Sequence, residues 1–143
     1  MMEKLQVLVL CTANSARSQM GEGLLREMAG DKMDVYSAGS MPSVVNPFAI
    51  KAMEQVGIDI TGHTSKSLDI YLEKKFDYVI TVCDNAAANC PYFPGPATRI
   101  HWGLQDPAAV EGSDEDILAS FAHARDLLKG HFSEWLAEME NNG

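Results

Sequence analysis

The sequence contains no apolar run close to the ~20 residues that a membrane-spanning helix needs. It also lacks a secretory signal pattern, since Glu3 and Lys4 lead straight into a short strand-like run. The expected location is therefore the cytoplasm, with no membrane partner. Basic residues are few: 11 Lys and Arg stand against 20 Asp and Glu, a formal net charge of -9. That balance argues against nucleic-acid binding, which needs a basic surface. An anion bound by so acidic a chain must find its positive potential locally, at a helix N-terminus or an arginine. Cysteine is scarce and odd in number, with three residues, so reactive or plain core thiols are expected instead of a disulfide framework. There are no internal repeats and no low-complexity tract. What remains is 143 residues, 46% hydrophobic and 22% charged, the composition of one globular domain over residues 1–143. Nothing in it demands a dimer, and a monomer is expected.

Strand and helix patterns alternate along the chain. Residues 5–11 form an apolar run, and 17–29 carry Met20, Leu24, Leu25 and Met28 at helical spacing. A short strand is expected over Asp34–Ala38, ahead of Gly39. Asn46-Pro47 supplies an N-cap and a first-turn proline for a helix through Val56, stopped by Gly57. Residues 58–60 are extended, and Thr64 or Ser65 is placed to cap a helix through Leu72. Phe76–Cys83 reads as a buried strand, Asn85–Asn89 as a short helical stretch ended by Pro91, and Thr98–Trp102 as a fourth strand. Ser113 opens a long last helix whose acidic first turn suits the helix dipole. Its apolar side carries Ile117, Leu118, Phe121, Leu127, Leu128, Phe132, Trp135 and Leu136. The alternation implies an α/β fold, a four-stranded parallel sheet flanked by helices on both faces. In such sheets sites form at the carboxyl ends of strands, where Cys11 and Cys83 both fall.

The most informative stretch is Cys11-Thr12-Ala13-Asn14-Ser15-Ala16-Arg17-Ser18. It joins the first strand to the first helix in the pattern C-x5-R. Five residues between the thiol and the guanidinium let the backbone curl round the sulfur and aim its N–H groups inward as an anion nest. Those amides, the helix dipole, Arg17 and the Ser18 hydroxyl would all stabilise negative charge on the Cys11 sulfur. Arg17 adds a two-donor fork for an oxyanion, which lysine does not reproduce. The loop is built to bind a tetrahedral oxyanion and attack it with sulfur.

The segment CTANSARSQM resembles the phosphate-binding loop of low-molecular-weight protein tyrosine phosphatases and of the arsenate reductases built on that fold. The resemblance extends to VYSAG at 35–39, NPFAIKAM at 46–53, GIDITGHTS at 57–65, TVCDNAAANCP at 81–91 and HWGLQDPA at 101–108. Both classes would use Cys11 and Arg17, with residues 12–18 holding the substrate. Two features separate them. TVCDNAAANCP is similar to the redox segment of thioredoxin-coupled arsenate reductases, with Cys90 seven residues after Cys83. In a regular helix those two Cα atoms would lie ~10 Å apart, and a disulfide needs less than ~7 Å, so bonding implies local unwinding. Asp106-Pro107 matches the phosphatases' general acid, but small residues follow it (DPAAVEG) where phosphatases usually carry aromatics that hold a phosphotyrosine ring.

The resemblance thus implies reduction of arsenate by a cascade. Cys11 attacks arsenic, Asp106 assists departure of water or hydroxide, Cys83 attacks Cys11 with release of arsenite, and Cys90 closes a Cys83–Cys90 disulfide. Thioredoxin or another thiol reductant reopens it. No metal or bound cofactor is implied. The alternative is a phosphatase acting on phosphotyrosine or aryl phosphates, and a third class is a non-enzymatic phosphate-binding protein. Many relatives carry a further cysteine in the loop, where this chain has Ala16. Some bind potassium through an Asn, a Glu, a Ser and an Asp; Asn14, Glu22 and Ser37 match three, and the fourth falls at Lys66. The Lys66 ammonium is expected to neutralise that site. His63, His101 and Trp102 are expected to serve in packing or loop structure, with His63 near enough to the redox segment to modulate it.

Overall fold

The computed structural model describes residues 3–83 and 92–142. Four strands and three α-helices follow in the order β1 (Leu5–Cys11), α1 (Arg17–Ala29), β2 (Met33–Gly39), α2 (Pro47–Glu54), β3 (Tyr78–Thr81), β4 (Thr98–His101) and α3 (Asp114–Asn142). Short 3-10 helices occupy Leu68–Tyr71 and Pro107–Ala109. All strand pairs are parallel, in the order β2-β1-β3-β4. The chain leaves β1 toward β2 on one side and later returns to β3 on the other. The carboxyl ends of β1 and β3 therefore flank a topological switch point, where open α/β sheets bind ligands.

β1 is central, and Val7, Leu8, Val9 and Leu10 are fully buried, as a strand covered on both faces must be. Its alternate side chains serve two cores. Val7, Val9 and Cys11 join Met20, Leu25, Met53, Phe121, Leu128 and Phe132 under the three α-helices. Leu8 and Leu10 join Ala38, Phe76, Val79 and Phe93 beneath the 3-10 helix at Leu68–Tyr71 and the following loops.

Most elements lie where the pattern puts them. Asn46 caps α2 by accepting from the Phe48 N–H at 2.8 Å, and α2 stops at Glu54, two residues before Val56. Ser113 and Asp116 exchange backbone-to-side-chain bonds of 3.2 Å at the start of α3. β3 is shorter than expected, although Asp77 N–H and Val82 N–H still bond to the Gln6 and Leu10 carbonyls of β1. Leu127 does not face the core and is 44% exposed; Ala124 and Arg125 are buried beside it, the latter donating to the Ala52 carbonyl.

One expected helix is reduced to a single 3-10 turn. Residues 63–66 form neither helix nor strand, and only Leu68–Tyr71, capped by Ser67, is helical. The reason lies in where the polar groups of this segment go. The Ser65 hydroxyl donates to the Ala13 carbonyl, the Lys66 N–H donates to Asn14 Oδ1, and the Lys66 carbonyl accepts from Gly39 N–H. These groups brace the Cys11 loop and are unavailable to a helix. The short helix expected at Asn85–Asn89, and Cys90 itself, lie outside the described residues. Trp102 packs as expected, stacked on His131 with centroids 4.8 Å apart.

Candidate active site

The loop after β1 is shaped by where its carbonyls go. The Thr12 carbonyl accepts from Met41 N–H, Ala13 from the Ser65 hydroxyl and Ser43 N–H, and Ser15 from Asn46 N–H. Asn14 accepts from Gln19 Nε2, and Ala16 from Met20 N–H. Every carbonyl from Thr12 to Ala16 is thus bonded outward. In a planar trans peptide the N–H points opposite to the C=O, so the amides that follow turn into the loop. The N-cap of α1 is Ala16, and no side chain caps that terminus. The first N–H groups of α1 therefore point toward the cavity with their dipole. The cavity, of about 210 Å³, is lined by Cys11, Ala13, Ser15, Ala16, Arg17, Ser43, Asp106 and Ala108. Sequence reasoning had brought Cys11, Arg17 and Asp106 together, and they share this one pocket.

Behind the loop the hydrogen bonds through Asn14 have a single direction. Lys66 N–H can only donate, so the atom it meets at 2.8 Å is Asn14 Oδ1. Asn14 Nδ2 then donates to Ser37 Oγ at 3.0 Å and Ser18 Oγ at 2.7 Å. Ser37 passes its hydrogen to Glu22 Oε1 at 2.6 Å. The Ser18 hydroxyl accepts from Asn14 and lies 2.8 Å from the Cys11 sulfur, placed to donate to it once that sulfur is a thiolate. Asn14 is fully buried and holds φ at 49°, a left-handed conformation that asparagine tolerates better than most residues. No buried side-chain nitrogen or oxygen among the described residues lacks a partner.

Three supports were not foreseen from sequence. Gln19 is fully buried; its Nε2 reaches both oxygens of Asn14 and the Thr64 carbonyl, and its Oε1 faces His63 Nδ1 at 3.0 Å. A glutamine in the first turn of an amphipathic helix gives no sequence signal of this, because two of its partners, His63 and Thr64, lie 44 and 45 residues away. The second is the irregular segment at 63–66. The third is Gly39, where an added Cβ would lie 2.5 Å from the Thr12 carbonyl oxygen and 2.8 Å from Asn14 N.

Arg17 is buried and donates to the Leu104 carbonyl at 3.0 Å, which ties the Cys11 loop to the chain carrying Asp106. Asp106 caps its 3-10 turn through Ala108 N–H at 3.0 Å. Cys83 is fully buried just beyond β3, and the Thr12 hydroxyl lies 4.0 Å from its sulfur. Cys11 and Cys83 belong to the same buried cluster. His101 ends β4 with its Nδ1 2.6 Å from Thr81 Oγ1.

The residues matching a potassium site are close together, but their oxygens are committed. Asn14 Oδ1 accepts from Lys66 N–H and Gln19, Ser37 is spent between Asn14 and Glu22, and the Lys66 ammonium stands 4.0 Å from Glu22 Oε1. This donor set does not fit a bound cation.

Glu22 also meets Arg26 at 3.0 Å and His63 Nε2 at 3.4 Å. Burial pulls the His63 pKa below the ordinary histidine value, opposed by Glu22 and reinforced by Arg26 and Lys66. The unfolded chain then takes up this proton first. The stability contributed by this group is therefore fully present above about pH 6.5 and declines as pH falls below it. Urea unfolding between pH 7.5 and 5.5 is expected to show a smaller loss in His63→Gln than in wild type. Equal losses would remove His63 from this role.

A cysteine, an arginine and an aspartate around one cavity floored by a strand-to-helix loop define an α/β protein with a site of the right shape for a tetrahedral oxyanion. The chain belongs to the low molecular weight phosphotyrosine protein phosphatase family, whose family model matches residues 6–143. Among its relatives is an arsenate reductase of Halalkalibacterium halodurans, 49% identical over 127 residues, which are 89% of this chain and 91% of the relative. A solved arsenate reductase in a phosphate-binding state superposes with a TM-score of 0.79 at 33% identity, covering 94% of this chain and 98% of the other. A thioredoxin-dependent arsenate reductase of Corynebacterium glutamicum superposes with a TM-score of 0.60 at 31% identity, over 89% of this chain and 61% of that one.

Proposed function

We propose that this protein reduces arsenate to arsenite through Cys11, Cys83 and Cys90, and that a thioredoxin-type dithiol recycles it. The observation that carries the reading is the Cys83 sulfur packed against the Cys11 loop, 4.0 Å from the Thr12 hydroxyl. A phosphatase resolves its phosphoenzyme with water and has no use for a second thiol there. The lining of the cavity agrees: it contains alanines and serines and no aromatic side chain to hold a phosphotyrosine ring.

In this mechanism the amides of residues 13–17 and the Arg17 fork hold the oxyanion. The Cys11 thiolate attacks arsenic(V), and Asp106 gives a proton to the departing oxygen, which leaves as water. Cys83 then attacks the Cys11 sulfur. The S–As bond breaks, its electron pair stays on arsenic, and arsenite leaves as a Cys11–Cys83 disulfide forms. Cys90 attacks the Cys83 sulfur and releases Cys11 as thiolate. The two electrons given to arsenic are restored when an external dithiol reduces the Cys83–Cys90 disulfide. A cytoplasmic monomer suits this chemistry, since thiol reductants work in that compartment. Phosphate is near-isosteric with arsenate, so slow hydrolysis of small aryl phosphates at the same loop accompanies the main reaction.

The test follows NADPH consumption with arsenate, thioredoxin and thioredoxin reductase. Cys83→Ser and Cys90→Ser are expected to lose turnover while retaining aryl phosphate hydrolysis. If both variants reduce arsenate at the wild-type rate, the relay is wrong. Because the Lys66 ammonium joins Arg26 beside Glu22, potassium in place of sodium at equal ionic strength is expected to leave turnover and melting temperature unchanged. A clear rise in either would contradict the role given to Lys66.

A further inference from the structure

Arg99 is an exposed arginine of the edge strand β4 that makes three side-chain hydrogen bonds to one loop. One guanidinium nitrogen reaches the Phe93 and Gly95 carbonyls and the other reaches Ala97, the last two at 3.0 and 3.1 Å. Its guanidinium carbon lies over the Tyr92 ring, 4.5 Å from the centroid. The loop so gathered, residues 92–97, contains Pro94, Pro96 and Gly95 with φ at 116°. Phe93 plugs the same loop into the second core, 3% exposed and edge-on to Phe76 at 5.5 Å. Tyr92, by contrast, is 72% exposed.

This loop begins two residues after Cys90. Three residue steps separate Cys90 from Phe93, and an extended chain covers at most about 11 Å in three steps. At the other end Val82 is bonded to β1, and Cys83 is fully buried. The thiol that must find Cys83 is therefore tethered closely to a point that Arg99 and Phe93 hold still. Closing a disulfide costs less when the far end of the tether is fixed, because the thiol's effective concentration at its target rises.

We propose that Arg99 is a positioning residue of the thiol relay, holding the anchor from which Cys90 reaches Cys83. The inference rests on the relay reading above. The step it assists is the second exchange. The Cys90 thiolate attacks the Cys83 sulfur, the Cys11–Cys83 bond breaks, and Cys11 departs as thiolate. One disulfide replaces another and no net electrons move.

The test compares wild type with Arg99→Met and Arg99→Lys. Arg99→Met keeps the stem and removes the fork; lysine keeps the charge but cannot span three carbonyls. Three quantities are read by rapid quench and mass spectrometry. They are arsenate-dependent formation of Cys11–Cys83, its passage to Cys83–Cys90, and the equilibrium of Cys83–Cys90 with a glutathione redox buffer. Arg99→Met is expected to lower the second rate and the disulfide's equilibrium constant about 10-fold, making its potential ~30 mV less negative. Arg99→Lys is expected to fall between, with the first step unchanged within about twofold. Should Arg99→Met not fold, Arg99→Lys decides alone. A wild-type equilibrium constant and second rate in the folded variants would overturn the proposal, and so would equal slowing of both steps. A separate arm tests the underlying reading: Cys90→Ser should accumulate Cys11–Cys83 after one turnover. If it does not, the relay fails and not merely the role of Arg99.

Discussion

Gly39→Ala is expected to lower arsenate turnover by about 100-fold or more while the sheet still forms. Gly39 ends β2 directly beneath the nucleophile loop. The new methyl would stand 2.5 Å from the Thr12 carbonyl oxygen, 2.8 Å from Asn14 N and 2.9 Å from the Cys11 carbonyl oxygen. All three are backbone atoms of the loop, so no flexible side chain can swing away. The loop itself must move, and its amides and the Cys11 sulfur move with it. Displacements near 1 Å in a site of this kind cost on the order of 10²-fold. Gly62→Ala is the control, because an added Cβ there meets nothing within 4 Å. Steady-state kinetics with thermal melts decides: wild-type kcat in folded Gly39→Ala would show that the loop tolerates the displacement.

Asn14→Ala is expected to damage stability and activity together. Its side chain links Lys66 N–H, Gln19, Ser37 and Ser18, all around a fully buried position. Truncation leaves several buried groups without a partner at about 1–3 kcal/mol each, partly recovered by relaxation or an entering water. It also asks alanine to hold φ at 49°, which costs roughly 1 kcal/mol more. A net loss of about 3 kcal/mol corresponds to a melting point lowered by roughly 10 °C in a chain of this size. Asn14→Gly separates the two causes, since glycine accepts the dihedral and restores none of the bonds. If Asn14→Gly matches wild type, the hydrogen-bond network contributes little.

The central parts of this protein were legible in its sequence because they depend on local pattern. The apolar run ending in Cys11 reads as a buried strand, and the polar C-x5-R turn before Met20 reads as an anion loop. Asn46-Pro47 announces a helix start. What was not legible depends on distant partners. Thr64 and Ser65 look like helix caps because their hydroxyls favour that role, yet Ser65 is claimed by Ala13 across 52 positions. Leu127 fits the apolar stripe of α3, but over 29 residues the buried face of a helix drifts, and Arg125 is drawn inward by the Ala52 carbonyl. Gln19 and Gly39 belong to the site only because other chain segments come up against them. The resemblance to known loops supplied the reaction, and the carbonyl-by-carbonyl bracing of residues 12–16 supplies the physical reason the loop can perform it.

A single turnover tests the reduction reading most directly. Fully reduced protein is mixed with excess arsenate and no external reductant, then acid-quenched for arsenic speciation and disulfide mapping. The account predicts one arsenite per chain, matched by one Cys83–Cys90 disulfide, with Cys11 returned to the thiol form. Arsenite produced without that disulfide, or no arsenite from a protein that still hydrolyses aryl phosphates, would contradict it.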